Sequence, residues 1–125
     1  MVRKVLVDSN FLLSPLQRGV DGLALLKRGG WEKEGGECGP AELFALSACV
    51  GEAKAAMPRA KRFLDGYLKA NCVTVLEAEG KADDLIAGLA GGFAVATLDK
   101  RLGKRLKKLG AQVISMRSNR QLEVY

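Results

Sequence analysis

No histidine occurs among the 125 residues. That excludes histidine general bases, histidine triads and histidine-metal centres, and leaves carboxylates, lysines or thiols to carry any catalysis. Apolar runs long enough to cross a bilayer are also missing. The basic start Met1-Val2-Arg3-Lys4 leads into a short strand pattern instead of a signal-peptide core. A soluble cytoplasmic protein without a membrane partner is the expectation. The three cysteines, Cys38, Cys49 and Cys72, are odd in number, far apart and never in Cys-x-x-Cys spacing. Neither a disulfide framework nor a zinc site is suggested, and they read as reduced, partly buried thiols. Internal repeats and low-complexity linkers are lacking too, so residues 1–125 are expected to form one domain.

What the chain does contain is a globular balance of 48% hydrophobic and 27% charged residues, too apolar for a disordered polypeptide. Twenty Lys and Arg against 14 Asp and Glu give a formal charge of +6. The excess is uneven. Lys100, Arg101, Lys104, Arg105, Lys107, Lys108, Arg117 and Arg120 lie in one stretch with no acid among them, a pattern that favours a polyanion through counterion release. Taken alone, a basic helix is more often just a solvated face.

Hydrophobic periodicity outlines alternating strands and helices. Arg3 to Val7 reads as a strand buried on both faces, ending at the polar Asp8-Ser9-Asn10. Ser14-Pro15-Leu16-Gln17 opens one helix that Gly29-Gly30 ends. Trp31 to Gly39 holds at most a short strand, and Pro40 then opens a helix over Ala41 to about Ala56, with Glu42 in its first turn. A third helix begins at Pro58, Val73–Leu76 is the next strand, and Asp83-Asp84-Leu85-Ile86 starts a fourth helix. Small residues of that helix, among them Gly88 and Gly91, would allow close approach to the sheet. Phe93–Thr97 is a strand, a helix follows Asp99, and Gln112–Met116 is the last strand. This order predicts an α/β/α three-layer sandwich around a parallel sheet.

Asp8, Asp83 and Asp99 each fall at a strand end or a helix start, positions that gather along the carboxyl edge of a parallel sheet, where ligands bind. Glu42 is expected to face the same edge. Carboxylates forced together repel unless one is protonated or a hard cation lies between them. With no soft ligand available, Mg²⁺ or Mn²⁺ is the natural ion, and phosphodiester hydrolysis the chemistry it suits. The structural alternative is that Asp83, Asp84 and Asp99 cap or charge helix N-termini, worth about 0.3–1 kcal/mol each. Asp8 is expected to escape that explanation, because no helix is predicted directly after it. Ser9 and Asn10 either turn the chain or hydrogen-bond the Asp8 carboxylate and a water.

In order, these segments resemble the PIN-domain family. Val5-Leu-Val-Asp8-Ser-Asn10 is similar to its opening Asp-Thr-Asn motif, Ala41-Glu42-Leu43 to its helical Glu, Ala82-Asp83-Asp84-Leu-Ile86-Ala87 to the third acid, and Ala96-Thr97-Leu-Asp99 to the fourth. The resemblance implies a PIN-like fold and a Mg²⁺- or Mn²⁺-dependent endoribonuclease acting on single-stranded RNA. Asp8, Glu42, Asp83 and Asp99 would be catalytic. Asp8, Asp83 and Asp99 would hold the metal, and Ser9, Asn10, Asp84 and Thr97 would support them. RNA would lie on Lys100, Arg101, Lys104, Arg105, Arg117 and Arg120. Asp8-Ser-Asn-Phe-Leu-Leu13, the Pro15 to Gly22 stretch and Val113-Ile-Ser-Met-Arg117 are similar to the short ribosomal-RNA-processing branch, which implies a ribosomal RNA precursor as substrate. The alternatives are a VapC-like toxin held by an antitoxin partner and a non-catalytic RNA-binding protein. Similarity to many PIN domains also implies a homodimer.

Overall fold

The computed structural model describes residues 3–28, 41–118 and 121–124. The predicted short strand between Trp31 and Gly39, Cys38 and Arg120 lie outside these described residues. In chain order the elements are β1 (Arg3–Val7), α1 (Ser9–Leu12), α2 (Ser14–Arg18), α3 (Gly22–Arg28), β2 (Ala41–Leu46), α4 (Ser47–Ala56), α5 (Ala60–Ala70), β3 (Thr74–Leu76), α6 (Ala82–Leu89), β4 (Ala94–Ala96), α7 (Lys100–Lys108), β5 (Val113–Ser118) and β6 (Gln121–Val124).

The strands form one sheet in the order β3-β2-β1-β4-β5-β6. The first five run parallel, and β6 turns back antiparallel on β5. Strand residues alternate between two apolar cores. Val5, Val7, Leu43, Ala45, Ala96 and Ile114 face α1 to α5, where Phe11, Leu23, Leu26, Leu64 and Leu68 fill the layer. Leu6, Phe44, Leu46, Val95 and Val113 face α6 and α7, packing on Ile86, Leu102 and Leu106. The period of two thus sorts one strand's side chains into both layers, giving the predicted α/β/α sandwich.

Several local expectations are corrected. Ala41–Leu46 is a strand, not the start of a helix, and the helix begins only at Ser47. Ala, Glu and Leu favour helices, but Leu43 to Leu46 are all buried, two on each face of the sheet. Burial on both faces overrides that propensity. The single helix expected from Ser14 is broken at Gly19, whose φ of 65° caps α2 in the left-handed region. A short helix does start directly after Asp8, with Asp8 at its N-cap. Gly88 and Gly91 are exposed, and a Cβ at either would meet nothing within 4 Å. They do not bring α6 closer to the sheet, a task left to Ala82, Ile86 and Ala90. The antiparallel β6 was not anticipated. Among the described residues no helix is long and apolar enough to cross a membrane.

Candidate active site at the carboxyl edge

β1 and β4 are adjacent and parallel, with Val7 beside Ala96. The next residue on each strand, Asp8 and Thr97, therefore emerges at the same edge. Asp8 is only 4% exposed, and its N–H donates to the Ala96 carbonyl at 2.9 Å. Its carboxylate accepts three hydrogen bonds. The Ser9 N–H donates to Oδ1 at 2.8 Å, the Thr97 hydroxyl to Oδ2 at 2.8 Å, and the Cys49 thiol to Oδ1 at 3.7 Å. All three donors are neutral, so the buried charge is oriented without being neutralised. Burial pushes the Asp8 carboxyl above the ordinary carboxylate range, and the charge of Asp83 pushes it the same way.

Capping explains only part of this arrangement. The Asp8 side chain accepts from the first N–H of α1, a helix of four residues. A cap of that kind works as well at an exposed position, so it gives no reason to bury a carboxylate.

Thr97 extends the network. Its Oγ1 accepts the Asp99 N–H at 3.1 Å while its hydroxyl serves Asp8. Asp99 Oδ1 accepts from the Arg101 and Leu102 N–H groups at 2.9 and 3.2 Å and caps α7. Asn10 Oδ1 accepts the Leu98 N–H at 2.9 Å, tying α1 to the turn before Asp99. Asn10 thereby positions backbone. Ser9 contributes its main-chain N–H to Asp8.

Asp83 lies in the first turn of α6 and is exposed. It shares a cleft of about 590 Å³ with Glu52 of α4, lined also by Ala48 and Lys81. Glu52 is exposed, and its partial desolvation beside the cleft wall, then the charges of Asp8 and Asp83, raise its carboxyl. Ser47 holds the two walls of this cleft together. Its hydroxyl donates to the Ala78 carbonyl at 3.2 Å and accepts the Ala78 N–H at 3.0 Å, joining the start of α4 to the loop before α6.

The structure puts Asp83 and the unforeseen Glu52 within electrostatic reach of Asp8, and it links Asp99 to Asp8 through Thr97. It does not bring Glu42 to this edge. That residue is exposed on β2 opposite Lys4, at the amino end of the strand pair, while Asp8 lies beyond the carboxyl end of β1. Four strand residues at about 3.3 Å each separate the two levels. The acid that the helix after β2 does carry beside Asp83 is Glu52. An acid on a polar helix face one turn after the second strand's end is the signal that would have found it, once that end had been placed correctly.

Asp84 pairs with Arg105 of α7 at 2.9 Å on the surface. Lys100, Arg101, Lys104 and Arg105 are exposed on α7. Arg117 is exposed where the β5–β6 register shifts between Met116 and Ser118. Cys49 is buried, and desolvation together with the Asp8 charge raises its thiol to about 12. It stays a neutral donor and cannot act as a thiolate nucleophile at physiological pH. Cys72 is exposed, contrary to the partly buried state expected of it.

A family model described as a PIN-like domain matches residues 5–119. The chain belongs to the PIN-like domain family. No curated protein matches it. The match runs from within β1 to the end of β5 and takes in all the acids at the carboxyl edge. PIN-like domains have a nuclease-type fold, which supports reading this one as a hydrolase.

A divalent cation suits this PIN-like edge. Among the described residues no three acidic or thiol side chains form a ready cage for an ion. Mg²⁺ does not need one, since it keeps several waters and binds through one or two carboxylates plus substrate phosphate. What the residues supply is a desolvated Asp8 held by neutral donors, and a Glu52 carboxyl raised by partial desolvation and by the charges of Asp8 and Asp83. A hard cation held at this edge would offset the repulsion among these acids.

Proposed function

We propose that this PIN-like protein is a Mg²⁺- or Mn²⁺-dependent endoribonuclease that hydrolyses phosphodiester bonds of single-stranded RNA. The observation that carries the reading is the buried, ionisable Asp8, fixed by three neutral donors with the Asp83 and Glu52 carboxylates in electrostatic reach. Asp8 is the principal metal ligand. Asp83 and Asp99 are the flanking ligands, reached directly or through water, and Glu52 takes the place expected of Glu42. When bound, the ion lowers the pKa of water and neutralises charge developing on the phosphodiester.

The remaining residues position these groups. Thr97, Ser9 and Cys49 hold the Asp8 carboxylate in one orientation, and Asn10 fixes the turn that carries Asp99. Water is the nucleophile, as the family resemblance implies, and the protonated Cys49 thiol does not compete with it. Ribosomal RNA precursors are the candidate substrate, supported by the resemblance at Asp8-Ser-Asn-Phe-Leu-Leu13.

The test is cleavage of single-stranded RNA by the purified protein in Mn²⁺, with chelator and Asp8→Asn as controls. Cleavage should stop in both, with at least about a hundredfold loss for Asp8→Asn while its unfolding transition persists. An inactive wild-type protein, or an Asp8→Asn variant that cleaves at the wild-type rate, would refute the assignment.

A further inference from the structure

α7 carries basic residues on two flanks, and the fold uses them differently. On the flank toward α6, Arg105 is engaged with Asp84. On the other flank, Lys100, Lys104 and Lys107 recur at the spacing of one helix face and line a groove between α7 and β5. The groove begins at Asp99, and its volume is about 190 Å³. Leu98 and Val113 give it an apolar lining, and Ser115 adds a hydroxyl on the β5 side. Gly103 is one reason the space exists, because a Cβ there would approach Val113 Cγ1 at 3.7 Å and any longer side chain would enter the groove.

We propose that this groove seats the nucleotide adjoining the scissile phosphate, with its base against Leu98 and the neighbouring phosphates on Lys100 and Lys104. The inference rests on the nuclease reading for the identity of the ligand, and deepens it by giving the strand a path. Three features support it. The groove opens directly beside Asp99, so a chain leaving the acidic edge enters it without a gap. Its rim is cationic while the edge itself is anionic, so phosphates are drawn past the acids to the lysines. Its volume is below the roughly 300–1,000 Å³ of drug-sized sites, a scale suited to one base. Specific binding then depends on one flank of α7, and the Arg105 flank is secondary.

The experiment measures affinity of the full chain for a fluorescein-labelled oligouridine by anisotropy, in EDTA so that nothing is cleaved, over a series of salt concentrations. For single-stranded RNA, removing one lysine that neutralises a phosphate lowers the salt slope by about 0.7, so Lys100→Ala with Lys104→Ala should lower it by about 1.4. A matched removal of charge on α5, Lys61→Ala with Lys69→Ala, should leave the slope unchanged, since both residues are exposed on a helix of the opposite layer. Ser115→Phe, which fills the groove without altering charge, should weaken binding by about tenfold or more, with its melting transition confirming the fold. An equal fall in slope for the α5 variant, or unaltered binding in both the lysine and Ser115→Phe variants, overturns the groove. The nuclease reading stands or falls separately, on Mn²⁺-dependent cleavage by the wild-type chain.

Discussion

The Thr97 hydroxyl donates to Asp8 Oδ2, 89 residues away in sequence, at 2.8 Å while its oxygen accepts the Asp99 N–H at 3.1 Å, so one side chain links two distant acids. Thr97 is 2% exposed, and no water can readily replace it. Thr97→Val keeps the shape and removes the hydroxyl. A hydrogen bond to a charged group contributes about 1.5–3 kcal/mol, and that is the expected loss of stability at neutral pH. Thr97→Ser should restore most of it. Urea unfolding of the three proteins decides the matter, and a Val variant as stable as wild type would show that the bond contributes nothing.

Glu52 and Glu42 make a direct comparison, because one lies in the cleft with Asp83 and the other on β2 beside Lys4. Glu52→Gln removes a charge that interacts with both Asp8 and Asp83. It should lower Mn²⁺-dependent cleavage by about 10–100-fold, the range found when groups supporting a metal site are removed. Glu42→Gln should stay within about twofold of wild type, since surface changes far from the chemistry seldom matter. Steady-state cleavage rates measure both. The reverse ranking would return the catalytic role to β2.

These two glutamates also mark how far the sequence could be read. Asp8, Asp83, Thr97 and Asp99 were legible because each terminates an apolar run or opens a helix, and a parallel sheet collects such positions at one edge. Leu43-Phe-Ala-Leu46 was not legible. A short apolar run fits a buried strand or a buried helix equally well, and only pairing with β1 and β3 separates the two. Misplacing that strand put Glu42 on a helix, whereas the acid that α4 carries beside Asp83 is Glu52. The break at Gly19 and the β5–β6 hairpin were missed for a related reason, since each depends on packing that local periodicity does not record.

The raised carboxyls of Asp8 and Glu52 give a signed pH dependence. Desolvation is the leading cause for both, so the folded protein holds their protons to higher pH than the unfolded chain does. Between the ordinary carboxylate value of about 4 and the raised values, the folded state binds more protons. Metal-free stability should therefore fall as pH rises through that window, then level off. Mn²⁺ requires the ionised acids, so its stabilisation should grow over the same rise. Melting curves with and without Mn²⁺ from about pH 4 to 8 test both trends. A Mn²⁺-induced shift of constant size down to the lowest pH would contradict the burial of Asp8.

Gly22 and Gly103 separate close packing from helix propensity, because propensity alone favours Ala over Gly in a helix, by about 0.8–1 kcal/mol at an interior position such as 103. At Gly22 a Cβ would lie 2.6 Å from Ser14 Oγ and 2.8 Å from Phe11 Cε1. Neither neighbour can yield easily. Both are fully buried, and Ser14 Oγ is held between the Phe11 carbonyl, to which it donates at 2.7 Å, and the Gly22 N–H, which it accepts at 3.2 Å. Gly22→Ala should lose about 1–3 kcal/mol, the usual cost of overpacking. At Gly103 the nearest atom to a Cβ is Val113 Cγ1 at 3.7 Å, an ordinary contact. Gly103→Ala should therefore gain about 1 kcal/mol from α7. Urea midpoints should move in opposite directions, and a shift of the same sign in both variants would mean that the close approach of α1, α2 and α3 is not what fixes Gly22.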